Sequence, residues 1–188
     1  MNLFSKKKKI NYSPLLLKAD VNAHILPGID DGAESLEESI NMLKAFADNG
    51  FTKVIATPHV AKERYYNTSE VIKSAFSEFS DAAKREKIDI KIEYAAEYLA
   101  DNHFLDLIKS GDILSFGANF VLMEFSFFFP PPAPEMYALK LKEAGFTPVL
   151  AHPERYEYWS GNSSVFENLH KAGYLFQSNL NSAAGNYG

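Results

Sequence analysis

An α/β fold built on a parallel sheet is what this sequence predicts, and three observations predict it. Six short apolar runs alternate with segments of helical periodicity from one end of the chain to the other. No internal repeat and no Gly/Ser linker breaks that alternation, and 188 residues with 46% hydrophobic content suit a single core that buries roughly 70% of the unfolded surface. Five of the runs hand off to a histidine or a glutamate. In a parallel β/α arrangement such strand ends converge on one mouth, so these side chains meet although they are far apart in sequence.

Taken in order, the first run is Lys18 to Ala23, leading to His24. Ser35, or Glu34 before it, opens a helix with Leu36, Ile40, Leu43, Phe46 and Ala47 on one face, and Gly50 ends it. The run Lys53 to Thr57 leads to His59. Ser69 is placed to cap the next helix, which buries Val71, Ile72, Phe76 and Phe79. Ile90 to Ala96 leads to Glu97, and a short helix Asn102 to Ser110 stops at Gly111. Phe120 to Phe125 contains Glu124, and a helix Pro134 to Glu143 follows, with Gly145 beyond it. Pro148 to Ala151 leads to His152, a helix Ser163 to Lys171 ends at Gly173, and Tyr174 to Ser178 is the sixth strand.

Charge and composition exclude several functions. With 19 basic against 24 acidic residues and a net charge of -5, the chain offers no basic footprint for nucleic acid. It has no cysteine, hence neither a disulfide framework nor a zinc-thiolate site, and cytoplasm is the simplest compartment. No apolar run reaches the length of about 18 residues needed to span a bilayer, and the start "MNLFSKKKK" lacks the apolar core of a signal peptide. Residues 1–17 read as a basic, solvated tail carrying the Lys6 to Lys9 run, and residues 18–188 as the folded domain.

The chemistry lies in the strand-end residues. A carboxylate inside an apolar run such as "VLMEF" costs several kcal/mol, by order of magnitude, unless a cation pairs with it. Glu124 therefore needs a positive partner, and so does Glu97 in "YAAEYLA". His24, His59 and His152 supply imidazoles to the same mouth, and the five together favour a metal cluster, whereas His103 and His170 fall on helices and read as structural. Without thiolates, such a set suits manganese, iron, zinc or magnesium, and the number of ligands suits more than one ion. Arg155, in "AHPERY", is placed either to grip phosphate oxygens or to pair with Glu154 or Glu157. Asp30 and Asp31 either serve the chemistry or cap the helix that begins near Glu34.

The segments "DVNAHILPGIDDGA", "ATPHV", "AAEYL", "LMEFSF" and "LAHPERY" resemble the bacterial capsule-type tyrosine phosphatases of the polymerase and histidinol phosphatase (PHP) superfamily. The resemblance runs in order from about Asp20 to the end of the chain. It implies a distorted PHP-type β/α barrel and manganese-dependent hydrolysis of phosphotyrosine by metal-activated water. The implied partner is a phosphotyrosine protein, the tail of a bacterial tyrosine kinase controlling capsular or exopolysaccharide synthesis. By position, His24, His59, Glu97, Glu124 and His152 match metal ligands, Arg155 matches a phosphate-binding arginine, and Asp31 falls in an acidic turn where a residue protonates the leaving oxygen. The "FSFFFPPPAPE" loop then either walls an aromatic substrate's pocket or is an ordinary packed loop.

Two departures from the family pattern lower the activity expected. The opening DxHxH motif here reads Asp20, Val21, Asn22, Ala23, His24, and no DxH pair follows "NSAAGNYG". The barrel is accordingly expected to be incomplete at the C-terminus, with self-association through its open edge. The alternatives carried forward are a non-catalytic homologue that binds a phosphotyrosine tail or kinase, and another PHP phosphomonoesterase such as histidinol phosphatase.

Overall fold

Among the described residues every ladder between strands is parallel, and two of the strand paths change sheets midway. The computed structural model describes residues 17–185; the Lys6 to Lys9 run lies outside them. β1 (Ala19–Ala23), β2 (Lys53–Ala56) and β4 (Lys91–Tyr94) form one sheet in the order β1-β2-β4. β3 (His59–Val60), β5 (Glu97–Leu99), β6 (Phe120–Glu124), β7 (Thr147–Ala151) and β8 (Leu175–Gln177) form the other, in that order. The expected run Ile90 to Ala96 is thus two strands, β4 and β5, and a further short strand, β3, begins at His59.

The breaks have a local cause. Pro58 has no N–H, so a straight ladder cannot continue through it. The chain turns at Thr57–Pro58 and again at Ala95–Ala96, and main-chain bonds step across both bends: Ala95 N–H to Ala56 O at 2.8 Å and Glu97 N–H to Pro58 O at 3.0 Å. Two paths, β2 into β3 and β4 into β5, therefore pass from one sheet to the other side by side. Among the described residues β1 pairs with β2 alone and β8 with β7 alone, so the ladders form two parallel sheets without closing on themselves.

Helices cover the sheets as the periodicity predicts. α1 (Leu36–Asp48) buries Ile40 and Leu43, and its cap is Ser35, whose hydroxyl accepts from Glu38 N–H. α2 (Ser69–Arg85) buries Ile72, Phe79, Ala82 and Ala83, and it is capped by Thr68 in place of Ser69, through a bond from Val71 N–H. α3 (Asn102–Ser110) is capped by Asp101 and ends at Gly111, whose φ of 79° is the left-handed geometry glycine favours. α4 (Pro134–Glu143) starts with proline, where the missing donor is harmless. α5 (Ser163–Ala172) and the short α6 (Leu180–Ala183) complete the order.

The core beneath the site is aromatic. Phe125, Tyr156 and Tyr174 are almost fully buried, each such ring contributing about 1.5–3 kcal/mol of burial. Tyr156 also does polar work there: its hydroxyl accepts from Phe125 N–H at 3.0 Å and donates to Ala151 O at 3.2 Å. That one hydroxyl ties the end of β6 to the end of β7, the two strands that deliver Glu124 and His152.

Candidate metal centre

Three histidines and two glutamates meet at the mouth, each delivered by a different strand. His24 follows β1 and His152 follows β7, while Glu124 is the last residue of β6. His59 and Glu97 differ from the expected pattern: they open β3 and β5, at the bends between sheets, and lie opposite one another in register.

The acidic turn after β1 is folded against His24. Gly28 N–H donates to Ala33 O at 2.8 Å and Ala33 N–H to His24 O at 3.1 Å. Gly32 makes this closure possible, because a Cβ at that position would lie 1.9 Å from the His24 carbonyl oxygen. The turn points Asp30 inward, with Oδ2 2.8 Å from His24 Nδ1 and accepting from His59 N–H at 3.0 Å. Asp31 faces the rim, 3.5 Å from His59 Nε2 and 3.9 Å from Arg64. Neither aspartate caps α1, since Ser35 does so.

Within the cluster, His24 Nε2 is 3.1 Å from Glu97 Oε2, and His152 Nε2 is 3.0 Å from Glu97 Oε1. His59 Nδ1 is 3.3 Å from Glu124 Oε1, and His152 Nε2 is 3.6 Å from Glu124 Oε2. Two ligand groups result, His24–His59–Glu97 and Glu97–Glu124–His152, each with its donor atoms within 4.8 Å of one another. Glu97 belongs to both. A third group, His24–Asp30–Asp31, overlaps the first. His103 and His170 fall in none of these groups; His103 packs against Tyr66, and His170 lies 3.3 Å from Tyr174 O.

Electrostatics sets the demand. Burial alone would lower the His24 imidazole, but its bonds to Asp30 and Glu97 and their charge push it up to about 10. His59 is likewise raised against its burial, by Glu124 and Glu97. Burial raises Glu97, yet His152 and His24 hold its carboxyl well below the usual carboxylate range. The cluster thus holds charge that must be balanced by protons or by a cation. Two buried atoms of the cluster, Glu124 Oε2 and His152 Nδ1, have no hydrogen-bond partner, and Glu97 Oε2 faces only the imidazoles of His24 and His59, at 3.1 and 3.6 Å. Buried polar atoms are rarely left so, and imidazole beside carboxylate is a donor set that suits a divalent metal.

Aromatic side chains frame the opening. The Arg155 guanidinium lies over the Phe127 ring at 4.5 Å, and that ring is 5.3 Å from the His152 ring. On the other side, Arg64 lies over Tyr65 at 4.9 Å, and Tyr65 stacks on His59 at 5.4 Å. Both rings line a cleft of about 610 Å³ that also contains Glu97, Glu124 and Arg155. Tyr65 carries no sequence signal, since it sits in an irregular stretch with no periodicity, and Phe127 stands out only through its aromatic, proline-rich loop.

Fold and cluster together define the class of α/β proteins that hold a metal-ligand set at the mouth of a parallel sheet. Within that class the chain belongs to the CpsB/CapC family of capsular polysaccharide synthesis, whose family model matches residues 18–188. It is 30% identical over 170 residues to tyrosine-protein phosphatase YwqE of Bacillus subtilis, covering 90% of this chain and 67% of the relative. Tyrosine-protein phosphatase CpsB of Streptococcus pneumoniae is 28% identical over 161 residues, covering 85% of this chain and 66% of the relative. A solved structure described as YwqE and CpsB, unique metal-dependent tyrosine phosphatases, superposes with a TM-score of 0.82 at 30% identity, over 89% of this chain and 68% of that one. The chain spans about two thirds of the length of these relatives.

Proposed function

We propose that the protein is a metal-dependent protein-tyrosine phosphatase, hydrolysing phosphotyrosine with a metal pair held by His24, His59, Glu97, Glu124 and His152. The observation that carries this reading is the buried Glu97–Glu124–His152 group, whose unpartnered atoms lie beside two more histidines and form a donor set that suits a divalent cation. Manganese is the proposed metal, on the family resemblance; iron, zinc or magnesium would also suit the donors. A bound metal pair neutralises charge on phosphoryl oxygens and brings the pKa of water toward ~7.

The chain's own residues divide the remaining work. Glu97, shared by both ligand groups, fixes the spacing of the two sites. Asp30 orients the His24 ring through Nδ1 and holds the His59 main chain, which sets the His24 imidazole and the start of β3 before any ligand arrives. Arg155 is assigned to the phosphate, its guanidinium resting over the Phe127 ring at 4.5 Å. Tyrosine is a basic leaving group, with an ordinary pKa near ~10, and Asp31 at the rim is assigned the proton transfer to its oxygen. Tyr65 and Phe127 give the cleft two aromatic walls for the phenyl ring.

The implied substrate is a tyrosine-kinase tail in capsule or exopolysaccharide regulation, and the proposed compartment is the cytoplasm. Among the described residues no helix is long and apolar enough to cross a membrane. Self-association is proposed through the free edge of β8, where Leu175 and Phe176 are exposed; a monodisperse monomer in sedimentation would overturn it. A distorted barrel is the proposed architecture of the family fold. Because Asn22 stands where the family pattern has histidine, a low turnover is expected, and a binding role without catalysis is the second reading.

The test pairs elemental analysis of bound metal with hydrolysis of a phosphotyrosine peptide, using Glu124→Ala as control. Bound manganese with turnover that disappears in the variant is the expected result. Bound metal without turnover supports the second reading, and absence of both overturns the metal centre.

A further inference from the structure

Behind the ligands, at the seam between β1 and β8, lies a polar cluster that none of the steps above uses. Asn22 stands two residues before His24, and Gln177 is the last residue of β8. Gln177 Oε1 accepts from Asn22 Nδ2 at 3.0 Å and from the His152 main-chain N–H at 3.2 Å. The far end of the same amide is also engaged: Nε2 donates to Ser178 O at 3.1 Å and to Asn179 Oδ1 at 3.2 Å. The orientation of Gln177 is therefore determined by its partners, since a flipped amide would set a donor against two donors.

Asn22 is aimed at the seam by an irregularity in β1. Asp20 is in register with Val54 and Ala23 with Ala56, so three steps along β1 match two along β2, the signature of a bulge that redirects a side chain. Asn22 N–H is held by Asp20 Oδ1 at 2.9 Å, and its Oδ1 faces the Thr57 hydroxyl at 3.5 Å. That hydroxyl accepts from Ala23 N–H at 3.0 Å.

The partner on the far side is a residue whose backbone needs holding. His152 has φ 33° and ψ 56°, a left-handed conformation that a residue with a Cβ keeps only where its surroundings impose it. Gln177 accepts the N–H of that residue. One carbonyl oxygen thus joins the strand end carrying His24 to the turn carrying His152, across a seam where no main-chain ladder runs.

We propose that Asn22 and Gln177 are positioning residues, a carboxamide clasp that fixes the separation of the His24 and His152 imidazoles, so that position 22 serves the centre by spacing its ligands instead of joining them. The inference rests on the metal-centre reading. Partners of this kind, one bond removed from the ligands, typically govern metal affinity by about 10–100-fold.

The experiment titrates Mn2+ alone, by calorimetry, into the wild-type chain, Asn22→Ala, Gln177→Ala and the double variant. Each single change weakens binding by about tenfold or more, and the double variant is no weaker than Gln177→Ala, because the clasp bond that Asn22→Ala removes is already lost with Gln177. Gln177→Glu keeps the acceptor toward Asn22 and His152 but sets its second oxygen against Ser178 O and Asn179 Oδ1, so its affinity lies between those of the wild type and Gln177→Ala; an affinity as low as that of Gln177→Ala overturns the clasp. Thermal melts verify folding; should Gln177→Ala not fold, Gln177→Asn, too short to reach both donors, takes its place with the same expected loss. Additive losses overturn the clasp, as does unchanged affinity in Gln177→Ala. A loss confined to Asn22→Ala would make Asn22 itself a ligand and overturn it too. A wild-type chain that takes up no Mn2+ overturns the centre and the clasp together, whereas normal uptake insensitive to Gln177 overturns the clasp alone.

Discussion

His24 and His152 occupy equivalent places, each one residue past a parallel strand, yet their surroundings are opposite. The His24 side chain is 25% exposed and has a carboxylate at both nitrogens, Asp30 and Glu97. The His152 side chain is 4% exposed, and its Nδ1 has no partner. The half of the cluster around His24 is wired to an acidic turn at the surface, and the half around His152 is enclosed, with His152 Nδ1 and Glu124 Oε2 unsatisfied. The difference teaches where each half gets its order. The outer half is arranged by protein hydrogen bonds, and the inner half depends on what fills it.

The largest effect should come from the one residue both halves share. Glu97→Ala removes a donor from both ligand groups, and Mn2+ affinity is expected to fall by at least about 100-fold; calorimetric titration checks it. A fall confined to one of two binding steps would mean that Glu97 serves a single site. Next, Gly32→Ala attacks the outer half alone by forcing a Cβ into the His24 carbonyl. A stability loss of about 1–3 kcal/mol is expected from such overpacking, read as a lower midpoint in urea, and it should be accompanied by weakened metal binding as Asp30 moves off His24.

Per pH unit, the smallest effect is that of the His24 proton. His24 sits near 10 against an ordinary 6.5, so in chelator-treated protein its contribution to stability is complete below pH 6.5 and is lost as pH rises toward 10. A metal must displace that proton, so its apparent affinity should climb across the same window, by up to about tenfold per pH unit for each proton released. Titrations in buffers of different ionisation enthalpy count those protons. Proton release that vanishes in His24→Gln would locate the effect in the outer half, and release that persists unchanged would move it elsewhere.

Much of this centre is legible in the sequence because buried charge is conspicuous there. Glu124 inside "FVLME" and His152 after "PVLA" interrupt apolar runs, and only a cation or a network justifies them. Which of two adjacent aspartates turns inward was not legible, since it depends on how closely Gly32 can approach His24. Nor was the division of Ile90 to Ala96 into two strands, because the switch of sheet partner is a tertiary event that leaves β-propensity unchanged. Thr68 and Ser69 are both sound caps, and only the backbone decides between them. Gln177 and Tyr65 have ordinary sequence surroundings; their roles appear once distant strands are brought together.

The bends at Thr57–Pro58 and Ala95–Ala96 carry a consequence for how such a protein can diversify. They place His59 and Glu97 at the start of a strand, with ordered chain on both sides, so these ligands are insulated from the loops that follow. Tyr65 lies in the loop that follows β3, beyond Val60, whereas Phe127 follows Glu124 directly in the loop after β6. On the proposed function, the rim beside Tyr65 can be rewritten over generations while the frame that holds His59 and Glu97 stays as it is, whereas changes near Phe127 and Arg155 act next to Glu124 and His152.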